Sequence, residues 1–169
     1  MDDLFVPPKK QFRDDSFVRG GMDLLMLAHK SHLQRADDEL AMLGLGRAEH
    51  RVLYIVARRP GLMVNELLDI LQITKQSAQR TILDLVDKGL LSRDVCPNDR
   101  RRRLLRLTEE GETLEKRIAV DLWTNMDRAY AEAGEEAVRG FWILMQHLMT
   151  PRVREQFRAF HEFAAVSAG

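Results

Sequence analysis

Five side chains near the middle of the chain are of the types that read nucleic acid: Lys75, Gln76, Ser77, Gln79 and Arg80, directly after Thr74. A glutamine amide can pair bidentately with adenine, a guanidinium or ammonium group with guanine, and a hydroxyl with either base or phosphate. Ala78, Ile82 and Leu85 follow at helical spacing on the opposite face, so the polar set lies at the exposed start of an amphipathic helix capped by Thr74. A helix N-terminus also offers free N–H groups and a positive dipole end to phosphate. Taken alone, this pattern equally describes a solvated polar face. A second cluster decides between the two. Asp99 is followed by Arg100, Arg101, Arg102 and Arg103, and four adjacent guanidinium groups repel one another unless a counter-charge arrives. A narrow minor groove supplies that charge.

The formal net charge is zero, which argues against indiscriminate binding to a polyanion. Its distribution argues otherwise: from Thr74 to Arg106 there are nine Lys and Arg against four Asp, offset by acid elsewhere. Charge of one sign concentrated in one segment is the footprint that DNA needs.

The elements that must position these residues follow from periodicity and caps. Residues 1–13, with Pro7-Pro8 and Lys9-Lys10, read as an arm. Met22, Leu25, Met26, His29, Leu33, Ala36, Leu40 and Leu43 form one stripe of a long helix that stops at Gly44. Gly46, with Glu49 in the capping-box position, opens a helix burying Val52, Leu53 and Val56 and ending before Pro60-Gly61. Leu62 to Val64 forms a short strand, and Asn65 leads a helix carrying Leu67, Leu68 and Leu71. Gln72-Ile73 then joins it to the helix from Thr74 to about Lys88, with Gly89 as the stop. Two strands, Leu91–Val95 and Leu104–Leu107, flank a turn at Pro97-Asn98-Asp99, which puts the four arginines at the tip of a hairpin. Thr108 caps a long helix that Gly134 breaks. Val138, Phe141, Trp142, Met145 and Leu148 mark the next, and Thr150-Pro151 opens a last one.

The expected fold is mainly α with a small β component (α+β). A winged helix-turn-helix module occupies residues 45–111, between a dimerisation helix at 14–44 and dimerisation helices at 112–169. Apolar stripes at both chain ends need a partner, and a second copy is the simplest one.

Composition narrows the class further. With 45% hydrophobic and 31% charged residues the chain is globular. No apolar run is long enough to span a membrane, and no secretory signal is visible at the N-terminus. The single Cys96 precludes an internal disulfide framework and fits a reducing cytoplasm. No phosphate loop, nucleophile elbow, zinc motif or carboxylate pair points to an enzyme, and no cofactor is expected. His29 and His32 lie three apart, but no third ligand at motif spacing accompanies them, so no metal is expected. Cys96, beside basic residues, reads as structural or incidental. A winged helix can also serve protein–protein contact without specific DNA binding; the basic wing counts against that alternative.

The segments Asn65-Glu66-Leu67-Leu68, Ile73-Thr74-Lys75-Gln76-Ser77, Lys88-Gly89-Leu90-Leu91-Ser92-Arg93 and Asn98-Asp99-Arg100-Arg101-Arg102-Arg103-Leu104-Leu105-Arg106-Leu107-Thr108-Glu109-Glu110-Gly111 together resemble the MarR family of regulators over roughly residues 20–130. Gly46-Arg47-Ala48-Glu49-His50-Arg51 and the recognition-helix start most resemble its PetP-like alphaproteobacterial branch. The resemblance implies a triangular homodimer on double-stranded, palindromic operators. It also implies repression relieved by a small aromatic or anionic effector, bound in a cleft between the dimer helices and the DNA module. From the family's layout, His29, His50, Arg51 and Trp123 are the residues to expect there. In one respect the chain departs from the family. Many members carry an aspartate in the recognition helix that pairs with a wing arginine, and the matching position is Leu83; Asp84 is turned ~100° around the helix. Pairing of Asp99 with Arg101 is the part of that brace that carries over, which leaves Arg100 and Arg102 to face DNA by strand alternation.

Overall fold

A computed structural model describes residues 4–96 and 99–167, with side chains at 4–96 and 102–161. A single 3-10 turn, Lys9–Gln11, precedes helix α1, Asp15–Met42. The chain leaves α1 through Gly44 at φ 65°. Leu45 N donates to Leu40 O at 2.9 Å and Gly44 N to Ala41 O at 3.0 Å, the paired bonds of a Schellman closure, which a glycine accommodates at little cost. Helix α2, Arg47–Arg58, starts where Gly46 N donates to the Glu49 carboxylate at 2.9 Å. Strand β1, Leu62–Met63, runs directly into α3, Val64–Leu71. Val64 is therefore helical rather than the third residue of a strand, because Met63 N donates to Glu66 Oε2 at 2.9 Å and caps the helix there.

Gln72, at φ 52°, makes the tight turn to α4, Lys75–Asp87. The Thr74 hydroxyl caps α4 by accepting from Ser77 N at 3.3 Å. Strands β2, Leu91–Cys96, and β3, Asp99–Leu107, complete an antiparallel sheet of order β1-β3-β2. Here the sequence expectation needs correction. β3 begins at Asp99, not Leu104, so the four arginines lie along a strand and not at a turn. β2 pairs with the two ends of this segment, at Asp99 and from Arg103 onward, and the strand runs through the arginines between them. The expected turn at Pro97-Asn98 lies outside the described residues, as do the side chains of Asp99, Arg100 and Arg101 and hence the expected Asp99–Arg101 pair.

Helices α5, Glu109–Ala133, α6, Glu135–Leu148, and α7, Pro151–Ser167, follow. Thr108 fastens α5 to the end of α4: its hydroxyl donates to Gly89 O at 2.6 Å and accepts from Gly111 N at 3.0 Å. The core is assembled from α2, α3, α4, the sheet and the first half of α5. Leu53, Leu67, Ile82, Leu85, Leu105 and Ile118 are buried almost completely, and α1 contributes Ala36 and Leu40. Upstream of these two, most of the stripe on α1 is exposed, and Leu24, Leu25, Met26 and Leu27 face solvent on consecutive positions. Among the described residues, no helix is long and apolar enough to cross a membrane.

Candidate nucleic-acid interface

The candidate interface is built on α4. Its inward face carries Ala78, Thr81, Ile82 and Leu85, packed in the core with α2 and the sheet. Thr81 was not anticipated at a buried position. Its hydroxyl donates to Ser77 O at 3.3 Å, which satisfies the one polar group that face takes inward. With that face fixed, Lys75, Gln76, Ser77, Gln79 and Arg80 are exposed, as is the capping Thr74. Gln76, Gln79 and Arg80 line a groove together with Gly44, after α1, and Glu49, in the first turn of α2. Thr74, Gln76, Ser77 and Arg80 line a second depression around the helix N-terminus. The first turn of α4 thus presents one continuous polar surface.

The wing is less regular than strand alternation requires. β2 and β3 pair in one register from Leu91↔Leu107 to Val95↔Arg103, and the register then jumps to Cys96↔Asp99. One residue step on β2 is matched by four on β3, so among the described residues Arg100, Arg101 and Arg102 are surplus to the ladder. The face each arginine takes therefore does not follow from counting along a regular strand. Arg102 is exposed, and its Nη1 reaches Met63 Sδ on β1 at 3.5 Å. Arg103 Nη1 donates to Arg102 O at 3.2 Å. Lower on the wing, Arg106 pairs with Asp94 at 3.6 Å. Asp84 pairs with Lys88 at 3.9 Å on its own helix.

The four residues expected at an effector cleft do not converge within one chain. His29 lines a concavity of about 480 Å³ on α1 with Leu25, Met26, Lys30 and Arg47. His50 is buried in α2. Arg51 is exposed and donates to Arg47 O at 3.3 Å, and Trp123 stands 69% exposed on α5. Arg47 is the residue that sequence reasoning missed. Its guanidinium grips the Asp37 carboxylate through Nε at 2.9 Å and Nη2 at 2.5 Å, tying α2 to α1. No local pattern could have paired two residues on different helices. The Asp37 hydrogen bond, and then its charge, raise the Arg47 pKa. His32 accepts from Asn125 Nδ2 at 3.1 Å if its proton sits on Nε2. Desolvation first, and His29 second, lower its pKa. Among the described residues, no group of three or more His, Cys, Asp or Glu could hold a metal ion. Cys96 is a half-buried free thiol.

His50 yields a pH prediction. Burial lowers its pKa from the ordinary 6.5, only partly opposed by the charge of Asp37. Above pH 6.5 both folded and unfolded states hold the ring neutral, and it has no effect on stability. As pH falls from 6.5 through the lowered value, the unfolded chain binds the proton first, so stability falls. The unfolding temperature should therefore drop between pH 7.5 and 5, by less in His50→Gln. An equal drop in both proteins would remove His50 as the cause.

The C-terminal helix also reaches this module. Arg152 pairs with Asp69 of α3 at 3.1 Å and Gln156 donates to Asp69 O at 3.0 Å. Arg58 of α2 stacks over the Phe160 ring at 4.8 Å.

Comparison with known proteins gives this arrangement its context. The MarR family model matches residues 43–102. The HTH-type transcriptional regulator PetP of Rhodobacter capsulatus is 35% identical over 147 residues, covering 87% of this chain and 89% of that protein. Two crystal structures share the fold. NadR in complex with 4-hydroxyphenylacetate has a TM-score of 0.63 at 24% identity, covering 73% of this chain and 88% of its own. The PcaV regulator from Streptomyces coelicolor with its natural ligand has a TM-score of 0.61 at 20% identity, covering 86% and 96%.

Proposed function

The chain belongs to the MarR family of transcriptional regulators, and from that premise we propose that it represses transcription by binding a palindromic operator as a homodimer. The observation that carries this reading is the surface of α4: Gln76, Gln79 and Arg80 point away from a well-packed inner face, at the capped start of an exposed helix. Residues 45–111 form the reading module, and residues 14–44 and 112–169 the dimer platform. The exposed run Leu24 to Leu27 on α1 is an apolar stretch that the chain itself does not cover, and such a patch marks an interaction surface. Phe141, Ile143, Leu144 and Leu148 of α6 are exposed as well. A second copy covers both. Sedimentation at micromolar concentration should return only dimers, and footprinting should show an inverted repeat with half-sites about one helical turn apart. A folded monomer, or a single asymmetric half-site, would count against this.

The concavity at His29, with the Lys30 ammonium beside the apolar Leu25 and Met26 and the Asp37-paired Arg47 at its edge, suits an aromatic carboxylate, the class to which the 4-hydroxyphenylacetate bound by NadR belongs. Such an effector should raise the unfolding temperature and weaken operator binding. Compounds that stabilise the protein without changing its DNA affinity would show a binding site with no regulatory role.

A further inference from the structure

We propose that Leu83 reads a thymine methyl group in the operator, as an apolar specificity contact beyond Gln76 and Arg80. The inference rests on α4 lying in the major groove. At about 100° per residue, Leu83 falls within about 20° of Gln76 on the helical wheel and about 140–160° from the inward-facing Ala78, Thr81 and Leu85. Of the outward positions on α4 it is the one large apolar residue, 41% exposed, and it lines the same groove as Gln76, Gln79 and Arg80.

A leucine facing straight away from the core gains nothing from water. The thymine C5-methyl is the one apolar group that a base edge presents in the major groove, and it is met by apolar side chains. Leu83 stands about 10 Å along the helix from Gln76, close enough for one recognition helix to span both. Beyond it the helix carries Asp84, which Lys88 approaches at 3.9 Å, and Asp87, so Leu83 is the last outward apolar position before its charged end.

The test uses the full-length protein and a duplex that the wild type selects from a random pool. Each thymine is replaced in turn by uracil, which keeps every hydrogen-bonding group and removes only the methyl. At one thymine in each half-site, uracil should weaken wild-type binding by about four-fold per methyl, or about 15-fold for the symmetric pair. Leu83→Ala should respond to the same substitutions by less than about two-fold, while Leu83→Met keeps the wild-type response. Leu83 is exposed, so both variants should unfold thermally like the wild type, and that measurement accompanies the binding. If no uracil weakens the wild type, or if Leu83→Ala suffers the same penalty, the contact does not exist. Gln76→Ala and Arg80→Ala are measured alongside. If they too bind like wild type, α4 is not in the groove and the broader reading fails; if they weaken binding while uracil is silent, only the role of Leu83 is overturned.

Discussion

Replacing Gly111 by alanine should destabilise the protein by at least ~3 kcal/mol, the upper range for forcing a group into a packed site. Gly111 lies in the first turn of α5 with its Cα against the backbone of the segment after α4. A Cβ built there would collide with the Leu90 carbonyl oxygen and stand 2.9 Å from the Leu90 carbonyl carbon and 3.3 Å from its Cα. Neither backbone can yield, because Thr108 bonds both sides of the junction and Leu90 O accepts from Thr108 N at 3.2 Å. The sign is the informative part. Inside a helix, glycine to alanine ordinarily gains up to about 1 kcal/mol. Gly89→Ala is the control: φ is 70° there but no atom lies within 4 Å of a built Cβ, so it should cost only about 1–2 kcal/mol of backbone strain. Thermal unfolding should place Gly111→Ala at least about 6 °C below wild type. A Gly111→Ala protein as stable as wild type would mean that α5 is not seated on Leu90.

The second large effect divides the labour between recognition helix and wing. Gln76→Ala or Arg80→Ala should each cost about 1–3 kcal/mol on the operator, roughly 5- to 150-fold in affinity, and much less on scrambled DNA. On the wing, replacing Arg102, whose side chain is exposed, or Arg100, on the same stretch beyond the regular ladder, by alanine should instead weaken binding to both duplexes. Each should also reduce the log–log salt slope by about 0.9 for every phosphate that the side chain no longer neutralises. Affinity measured against salt for all four variants separates these signatures. Wing variants that bind both DNAs like wild type at every salt concentration would show that the wing does not touch DNA. A Gln76→Ala penalty equal on both DNAs would deny that residue any role in sequence reading.

What was legible in the sequence was whatever is settled within one turn of chain. Glu49 capping Gly46, Thr74 capping α4 and Thr108 capping α5 are contacts three residues apart, so residue type and spacing suffice to anticipate them. The inward stripe of α4 was legible for the same reason, apart from Thr81, whose hydroxyl finds its partner on its own helix. The rest is non-local. β3 reaches back to Asp99 because Asp99 pairs with Cys96 of β2, while consecutive arginines carry little strand preference of their own. The Arg47–Asp37 grip joins residues ten apart across a helix boundary, and Arg152 meets Asp69 across 83 residues. Each depends on helices having already packed. The effector residues belong to a cleft that the family resemblance implies between dimer helices and DNA module, and a single chain gathers only His29 from them beside Arg47 and Lys30.

The register jump in the wing has an evolutionary consequence. A one-residue insertion inside a regular ladder turns every later side chain to the opposite face, so most strands resist changes in length. Here the stem from Leu91↔Leu107 to Val95↔Arg103 is in unbroken register, and the surplus residues all lie beyond it. Insertions or deletions among Arg100, Arg101 and Arg102 can be absorbed at the tip while Leu91 and Leu105 stay in the core. Descendants of this sequence are therefore free to lengthen, shorten or recharge the tip in single mutational steps, altering its reach without first having to refold what holds it.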